Sequence, residues 1–411
     1  MPSKRREMAF GSLLLVPTRN GIHKGPASQG RGVPVVKMGE VYHADIVKDA
    51  ERDLLDLTPD ELNRLEVLVD DLLFCRTSLV AEGVGHCALV GELSQRTTFA
   101  SNLIRVRLDQ DKADPRYWFY YFRSPMGQEQ LLTLARGTSV TTITGPDIAA
   151  LDVPVSDISA QRSIARILGA LDDKIELNRK MNETLEQMAR AIFKSWFVDF
   201  EPFRDKGMID SPLGNIPKGW EAKRLIEVVE VNPTRPMRRG TVAAYLDMQN
   251  MPTSGHGPLG WIERPFGSGT RFVNGDTLLA RITPCLENGK TSFVDFLPSG
   301  QTGWGSTEYI VLRPRPPFPP EYGYLLARDE SFREHAIQNM TGSSGRQRVP
   351  PESLDDYLLP KPPGGIAEEF GRVVAPLFAS ARANDDQSRT LAAIRDALLP
   401  RLLSGEIDIR S

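Results

Sequence analysis

Ile-Ala-Arg-Ile-Leu-Gly-Ala-Leu-Asp-Asp-Lys-Ile-Glu-Leu-Asn, residues 164–178, opens a stretch whose pattern continues to Trp196. Steps of four and three residues alternate along it through Ile164, Leu168, Leu171, Ile175, Asn178, Asn182, Leu185, Ala189, Ile192 and Trp196. Such steps keep returning to one face, which makes a heptad seam of the kind that packs helix on helix. The seam is apolar at both ends and polar in the middle. A second seam runs through Phe370, Val374, Leu377, Ala381, Asn384, Ser388, Leu391, Arg395, Leu398 and Leu402, with Asn384 at the place of Asn178. An amide buried at a seam costs stability but fixes register and partner choice. The spacing predicts helices over residues 158–198 and 366–411, roughly 50 Å long at about 1.5 Å per residue, paired antiparallel as a coiled coil. Pro376 and Pro400 are expected to kink the second.

The seams belong to a repeat that covers the chain. Asp-Leu-Leu-Phe-Cys-Arg-Thr-Ser (71–78) is echoed by Asp-Thr-Leu-Leu-Ala-Arg-Ile-Thr (276–283). Arg-Gly-Thr-Ser (136–139) is echoed by Thr-Gly-Ser-Ser (341–344), and Leu-Asp-Val-Pro-Val (151–155) by Tyr-Leu-Leu-Pro-Lys (357–361). A period this long is not that of a solenoid, which is roughly 20–50 residues; each copy is large enough to be a domain. Four segments follow: a globular region at 1–157, the helix at 158–198, a second globular region at 199–365, and the helix at 366–411.

Within the globular regions, Val33–Met38, Asn102–Leu108 and Tyr309–Arg313 read as strands. Residues 252–258 and 313–320 carry the Gly and Pro of loops. Pro-Arg-Tyr-Trp-Phe-Tyr-Tyr-Phe (115–122) and Pro-Glu-Tyr-Gly-Tyr-Leu-Leu-Ala (320–327) read as aromatic-rich helices. Their helical spacing favours core packing on a sheet over stacking on nucleobases. The fold class is therefore α+β: two mixed α/β domains with strand-rich cores, joined by two long antiparallel helices in an internal pseudo-two-fold repeat.

With 411 residues the chain can bury two or three cores. Cys75, Cys87 and Cys285 have neither paired nor metal-like spacing, which suits a reducing cytoplasm. No apolar run approaches the roughly 18–20 residues of a membrane span. A net charge of −3 argues against tight binding of nucleic acid by this chain alone.

Motifs for chemistry are lacking. Pro-Cys-Leu-Glu-Asn-Gly-Lys-Thr (284–291) ends as a phosphate-binding loop does, but has Pro284 where such a loop needs glycine. Ser-Phe-Val-Asp-Phe after it reads as strand, so no helix N-terminus faces a phosphate. The five histidines stand alone, without a second ligand at metal spacing. No catalytic residue and no metal ligand is expected. What recurs is polar and basic residues at matching loop positions: Arg76, Thr77 and Ser78 with Arg281 and Thr283; Arg136, Thr138, Ser139, Thr141 and Thr142 with Ser343, Ser344, Arg346, Gln347 and Arg348. Asn288 and Lys290 join the second set. Hydroxyls, exposed amides and arginine or glutamine forks suit phosphate and base-edge contacts, so these are the candidate DNA-binding residues.

Three stretches carry a family resemblance. Ala-Gln-Arg-Ser-Ile-Ala-Arg-Ile-Leu (160–168) through Ala-Ile-Phe-Lys-Ser-Trp-Phe-Val-Asp-Phe-Glu-Pro (191–202) resembles the central helix of specificity subunits of Type I restriction–modification systems. Gly-Asn-Ile-Pro-Lys-Gly-Trp-Glu (214–221) resembles the opening of that family's second recognition domain, and Leu-Leu-Pro-Arg-Leu-Leu-Ser-Gly-Glu-Ile (398–407) is similar to its closing segment. The resemblance implies a non-catalytic, cytoplasmic subunit whose two target recognition domains read the halves of a bipartite asymmetric site in double-stranded DNA. It further implies that the helices set the unread spacer and dock two modification (methyltransferase) subunits, with restriction subunits joining that core. This chain would hold no cofactor; S-adenosylmethionine, ATP and Mg would sit on the partners. Two other readings remain open from the residues: a specificity fragment of a fused methyltransferase–nuclease, and a coiled-coil scaffold without a DNA role.

Overall fold

The computed structural model describes residues 6–78, 83–137, 141–343 and 345–407. The chain divides into two compact units. Unit 1 holds Met1–Asp173 with Leu391–Ser411, and unit 2 holds Lys174–Thr390. The two expected helices are present, as Ile158–Phe197 and Ile366–Ser404, and each contributes its first part to one unit and its last part to the other.

Unit 1 is built on a five-stranded sheet in the order Leu14–Asn20, Leu103–Leu108, Leu72–Cys75, Cys87–Val90, Ile46–Val47, antiparallel except for the last pair. Every residue of Leu72–Cys75 is buried. Side chains alternate across a strand, so Leu72 and Phe74 enter one core while Leu73 and Cys75 enter another. The first core is closed by the helix Pro115–Arg123, which begins where the Asp114 side chain accepts from the Tyr117 amide at 2.9 Å. Tyr117 to Phe122 are all buried, at roughly 1.5–3 kcal/mol of burial per large apolar side chain. Core packing is thus what these rings do. On the far side of that helix the Tyr120 hydroxyl donates to Asp172 of the first long helix. The second core is covered by Gln29–Val36, flanked by Leu54–Leu55 (antiparallel) and Thr98–Phe99 (parallel).

Unit 2 repeats this plan. Its first sheet has the order Val229–Val231, Tyr309–Pro314, Thr277–Ala280, Thr291–Phe293, with the helix Pro320–Arg328 packed on it. Leu103 opposite Cys75 in unit 1 becomes Tyr309 opposite Ala280 in unit 2. The second sheet has the order Ile262–Pro265, Val242–Leu246, Gly303–Gly305, Thr270–Phe272. The parallel pairing of Val35 with Thr98 recurs as Tyr245 with Trp304. The repeat therefore extends to these second sheets, where the sequence carries no echo.

A buried ion pair also recurs. Asp71 (1% exposed) receives both Arg107 contacts at 2.7 Å and the Leu68 amide at 2.8 Å. Asp276 (0% exposed) receives Arg313 at 3.2 Å, Arg235 at 3.1 Å and the Val273 amide at 2.8 Å. Each aspartate ends the turn that leads into the central strand and ties that strand to its neighbour.

The long helices pair antiparallel within each unit, and no residue of either expected seam is exposed. In unit 2 the Asn178 amide donates to the Asn384 carbonyl (3.2 Å), Gln387 (2.9 Å) and Ser388 (3.2 Å). One turn on, Asn182 donates to Ala381 O and Asp385, and receives the Asn384 amide at 2.8 Å. Toward the apolar end Trp196 meets Phe370 at a ring-centroid distance of 5.8 Å. Phe193 and Phe197, outside the heptad steps, are buried against Tyr322 of the globular part, so the helix packs on two faces. In unit 1, Ile164 and Leu168 share a core with Leu402, and Leu398 packs on its edge. Asp172 pairs with Arg395 at 2.7 Å. Ile366–Ser404 is one uninterrupted helix through Pro376 and Pro400, both exposed; the expected kinks do not break it.

Candidate nucleic-acid interface

In each unit the central strand delivers an arginine to a loop pair. Arg76 follows Leu72–Cys75, and Arg281 follows Thr277–Ala280. In unit 1 the Ile143 amide donates to the Arg76 carbonyl at 3.0 Å, and Thr77–Ser78 pair antiparallel with Thr141–Thr142. In unit 2 the Val349 amide donates to the Arg281 carbonyl at 2.9 Å, the Thr283 amide donates to Gln347 O at 3.0 Å, and Ile282 bridges Arg348. Arg136 with Thr142, and Thr341 with Arg348, close the hairpins. Segments about 65 residues apart in sequence are thereby one surface in each unit, joined by backbone ladders.

The two surfaces differ electrostatically. Arg348 makes a two-pronged pair with Glu308 at 2.8–2.9 Å, which holds its guanidinium above the ordinary arginine range. Arg281 lies 4.0 Å from the same carboxylate. Arg346 is exposed and has no side-chain partner among the described residues. The Gly345 turn (φ +77) carries it outward, beside exposed Ser343. In unit 1 the strand position corresponding to Glu308 is Asn102, whose carbonyl accepts from the Arg76 amide. Arg76 donates weakly to Ser101 O at 3.4 Å and has no carboxylate partner among the described residues. Arg136 is 74% exposed and pairs with Asp147 at 3.0 Å.

Other candidates are engaged structurally. Lys290 donates to Met248 O at 2.6 Å, and Thr283 approaches Glu287 at 3.4 Å. Thr142 leans on Arg136 O at 3.5 Å. Asn288 is exposed, and Thr141 is half-buried. Thr138, Ser139 and Ser344 lie outside the described residues. Among the described residues no group of three or more His, Cys, Asp or Glu side chains is placed to hold a metal, and no helix is long and apolar enough to cross a membrane.

Residues 32–187 match the Type I restriction modification DNA specificity domain. The chain is 24% identical over 409 residues to the Type I restriction enzyme MjaIX specificity subunit of Methanocaldococcus jannaschii, covering 92% of this chain and 91% of that one. It is 25% identical over 356 residues to the HindI specificity subunit of Haemophilus influenzae, covering 71% and 77%. Both relatives are named as specificity subunits of Type I restriction enzymes, and the domain matched at 32–187 is the specificity domain. The crystal structure of the Type I restriction–modification system S subunit from M. genitalium shares the fold, with a TM-score of 0.57 at 13% identity over 97% of this chain and 95% of that one.

Two features of the chain were not visible in its sequence. Arg328 is buried, and its guanidinium donates to the carbonyls of Thr253, Gly255, Gly289 and Thr291 at 2.7–3.2 Å. It ties the loop that carries Asn288 and Lys290 to the segment at 253–255. The second is on the outer sheet of unit 2, where Arg264 lies over the rings of Tyr245 (4.9 Å) and Trp304 (5.6 Å). The three residues are scattered along the chain, and only the strand pairing unites them.

Proposed function

We propose that the chain is the DNA-specificity subunit of a Type I restriction–modification complex, each unit reading one half of a bipartite asymmetric site in double-stranded DNA. The observation that carries this reading is the loop pair beside Arg76 and Arg281. The same backbone frame is built twice, yet it presents an arginine beside Asn102 in one unit, and two arginines at Glu308 with a third, Arg346, exposed in the other. A frame kept constant under changed chemistry suits two different half-sites. Phosphate contacts fix position and base edges give sequence, and both need such exposed forks and amides.

In this reading the chain itself catalyses nothing and acts in the cytoplasm. Two modification subunits and the restriction subunits dock on it, bringing S-adenosylmethionine, ATP and Mg. Low net charge agrees with a partner sharing the grip on the phosphates. The test is to co-express the full chain with Type I modification subunits and sequence the methylated genome. A two-part asymmetric motif that vanishes when this chain is omitted supports the reading. Methylation by the isolated chain, or an unchanged methylome without it, overturns it.

A further inference from the structure

On the outer face of unit 2's second sheet, strand pairing aligns Ile262, Tyr245, Trp304 and Arg271 in one row. Directly opposed residues share a face of a sheet, and Arg264 lies two positions on from Ile262. Leu246 and Phe272 alternate to the other face and fill the core. Tyr245 and Trp304 are in ring contact at 4.4 Å, and Phe266 meets Trp304 edge-on at 5.4 Å. Arg264 stacks over Tyr245 and Trp304, and Arg271 over Phe266 at 5.8 Å. The Trp304 indole donates to the Arg264 carbonyl at 3.3 Å, which fixes the ring beneath the guanidinium.

Neither arginine has a carboxylate partner among the described residues. The contrast within the same unit is plain: Arg348 is held by Glu308, Arg313 and Arg235 by Asp276, and Arg382 by Asp386. Stacking removes rotamer freedom from a guanidinium but leaves its planar fork of N–H donors open. Arg264 is exposed, so the fork is accessible. Ile262, 57% exposed, lies beside it. Rigid guanidinium forks read guanine O6 and N7 in pairs, and apolar neighbours suit the thymine methyl.

The corresponding face of unit 1 is unlike it. Val35 and Thr98 stand at the places of Tyr245 and Trp304. There a cavity of about 520 Å³ is lined by His23, Lys24, Lys37 and Arg52, and the last three are paired with Glu61, Asp53 and Glu40.

We propose that the outer sheet face of unit 2 reads bases in one half-site, and that Arg264, held over Tyr245 and Trp304, is its guanine-reading residue. This rests on the DNA-specificity reading above. The test uses the full chain co-expressed with modification subunits, on plasmid libraries in which each half-site is randomised, with methylated molecules sequenced. Arg264→Ala should lower discrimination at one G·C pair of one half-site by about tenfold or more and leave the other half-site unchanged. Arg264→Lys, which keeps the charge and the packing stem but not the fork, should relax the same position, and it secures the result if the alanine variant folds poorly. An unchanged preference at every position in both variants overturns the proposal. So does a uniform loss of affinity with a salt slope reduced by about one, the signature of a phosphate contact. In either case an intact bipartite motif from the unsubstituted chain leaves the specificity reading standing; absence of that motif sinks the reading itself.

Discussion

Replacing Asp276 by alanine tests the frame on which unit 2's surface stands. The carboxylate has no exposed area, and Arg235 and Arg313 retain 20% and 33% side-chain exposure. Removing one member of a buried ion pair costs about 3–5 kcal/mol because the remaining charge is uncompensated. Water reaches part of both guanidinium groups, which places the loss near the lower limit, about 3 kcal/mol. The Val273 amide loses its acceptor as well, at about 1 kcal/mol. For a unit of roughly 150–250 residues each kcal/mol lowers the midpoint by about 2–4 °C, so the transition should fall by roughly 10 °C. Asp276→Asn keeps the size and an acceptor for Val273 but removes the charge, and should lose about half as much. Differential scanning calorimetry of the full chain reads both. A shift under about 2–3 °C for the alanine variant would refute the argument, since the arginines would then be no worse off in the folded unit without their counter-ion. Asp71→Ala should behave alike in unit 1, because Asp71 holds Arg107 and the Leu68 amide in the same geometry.

Arg346→Ala should leave the stability within about 0.5 kcal/mol of the parent and lower the salt slope of DNA binding by the assembled complex by about one; titrations at several salt concentrations check it, and an unchanged slope counts against a phosphate role. Asn178→Ala strips three acceptors at the buried helix seam of their donor and should cost about 1–3 kcal/mol, read from the urea midpoint. Burial pushes the Cys75 thiol up to about 12 and raises Cys87 as well. A raised pKa lowers the thiolate fraction at pH 8, so Cys285, partly exposed, should be the one thiol that reacts quickly with an aromatic disulfide reagent in the native protein. Fast reaction of all three would show those cores to be open.

Much of this architecture was legible because it rests on period and repetition. The helix seams persist over many turns, and each aromatic helix announces itself by a proline at its start and apolar spacing. Of the second sheets only the strand at Val33–Val36 was legible. Their strands are two to eight residues long, interrupted by glycine and proline, and their partners lie far along the chain: Tyr245 finds Trp304, and Val35 finds Thr98. The loop residues illustrate a different limit. Sequence showed Arg346, Gln347 and Arg348 as equals, whereas the fold gives Arg348 to Glu308 and leaves Arg346 outside. Lys290 carries the right chemistry for a phosphate, and one of its three ammonium donors goes to the Met248 carbonyl. Such assignments depend on contacts between distant residues, which no local pattern encodes.

The allotment of the second long helix has a kinetic consequence. Leu402 and Leu403 complete the core that holds Phe10, Leu13 and Ile164, but all of Lys174–Thr390 separates them in the chain from the rest of unit 1. At about 5–20 residues per second, a ribosome needs on the order of 10–40 seconds between finishing the first part of this core and supplying its last side chains. During that interval Ile164 and Leu168 lack the cover of Leu402 and Leu403, so unit 1 is a nascent-chain liability until those residues are made. Unit 2, whose residues are contiguous, can close while it waits.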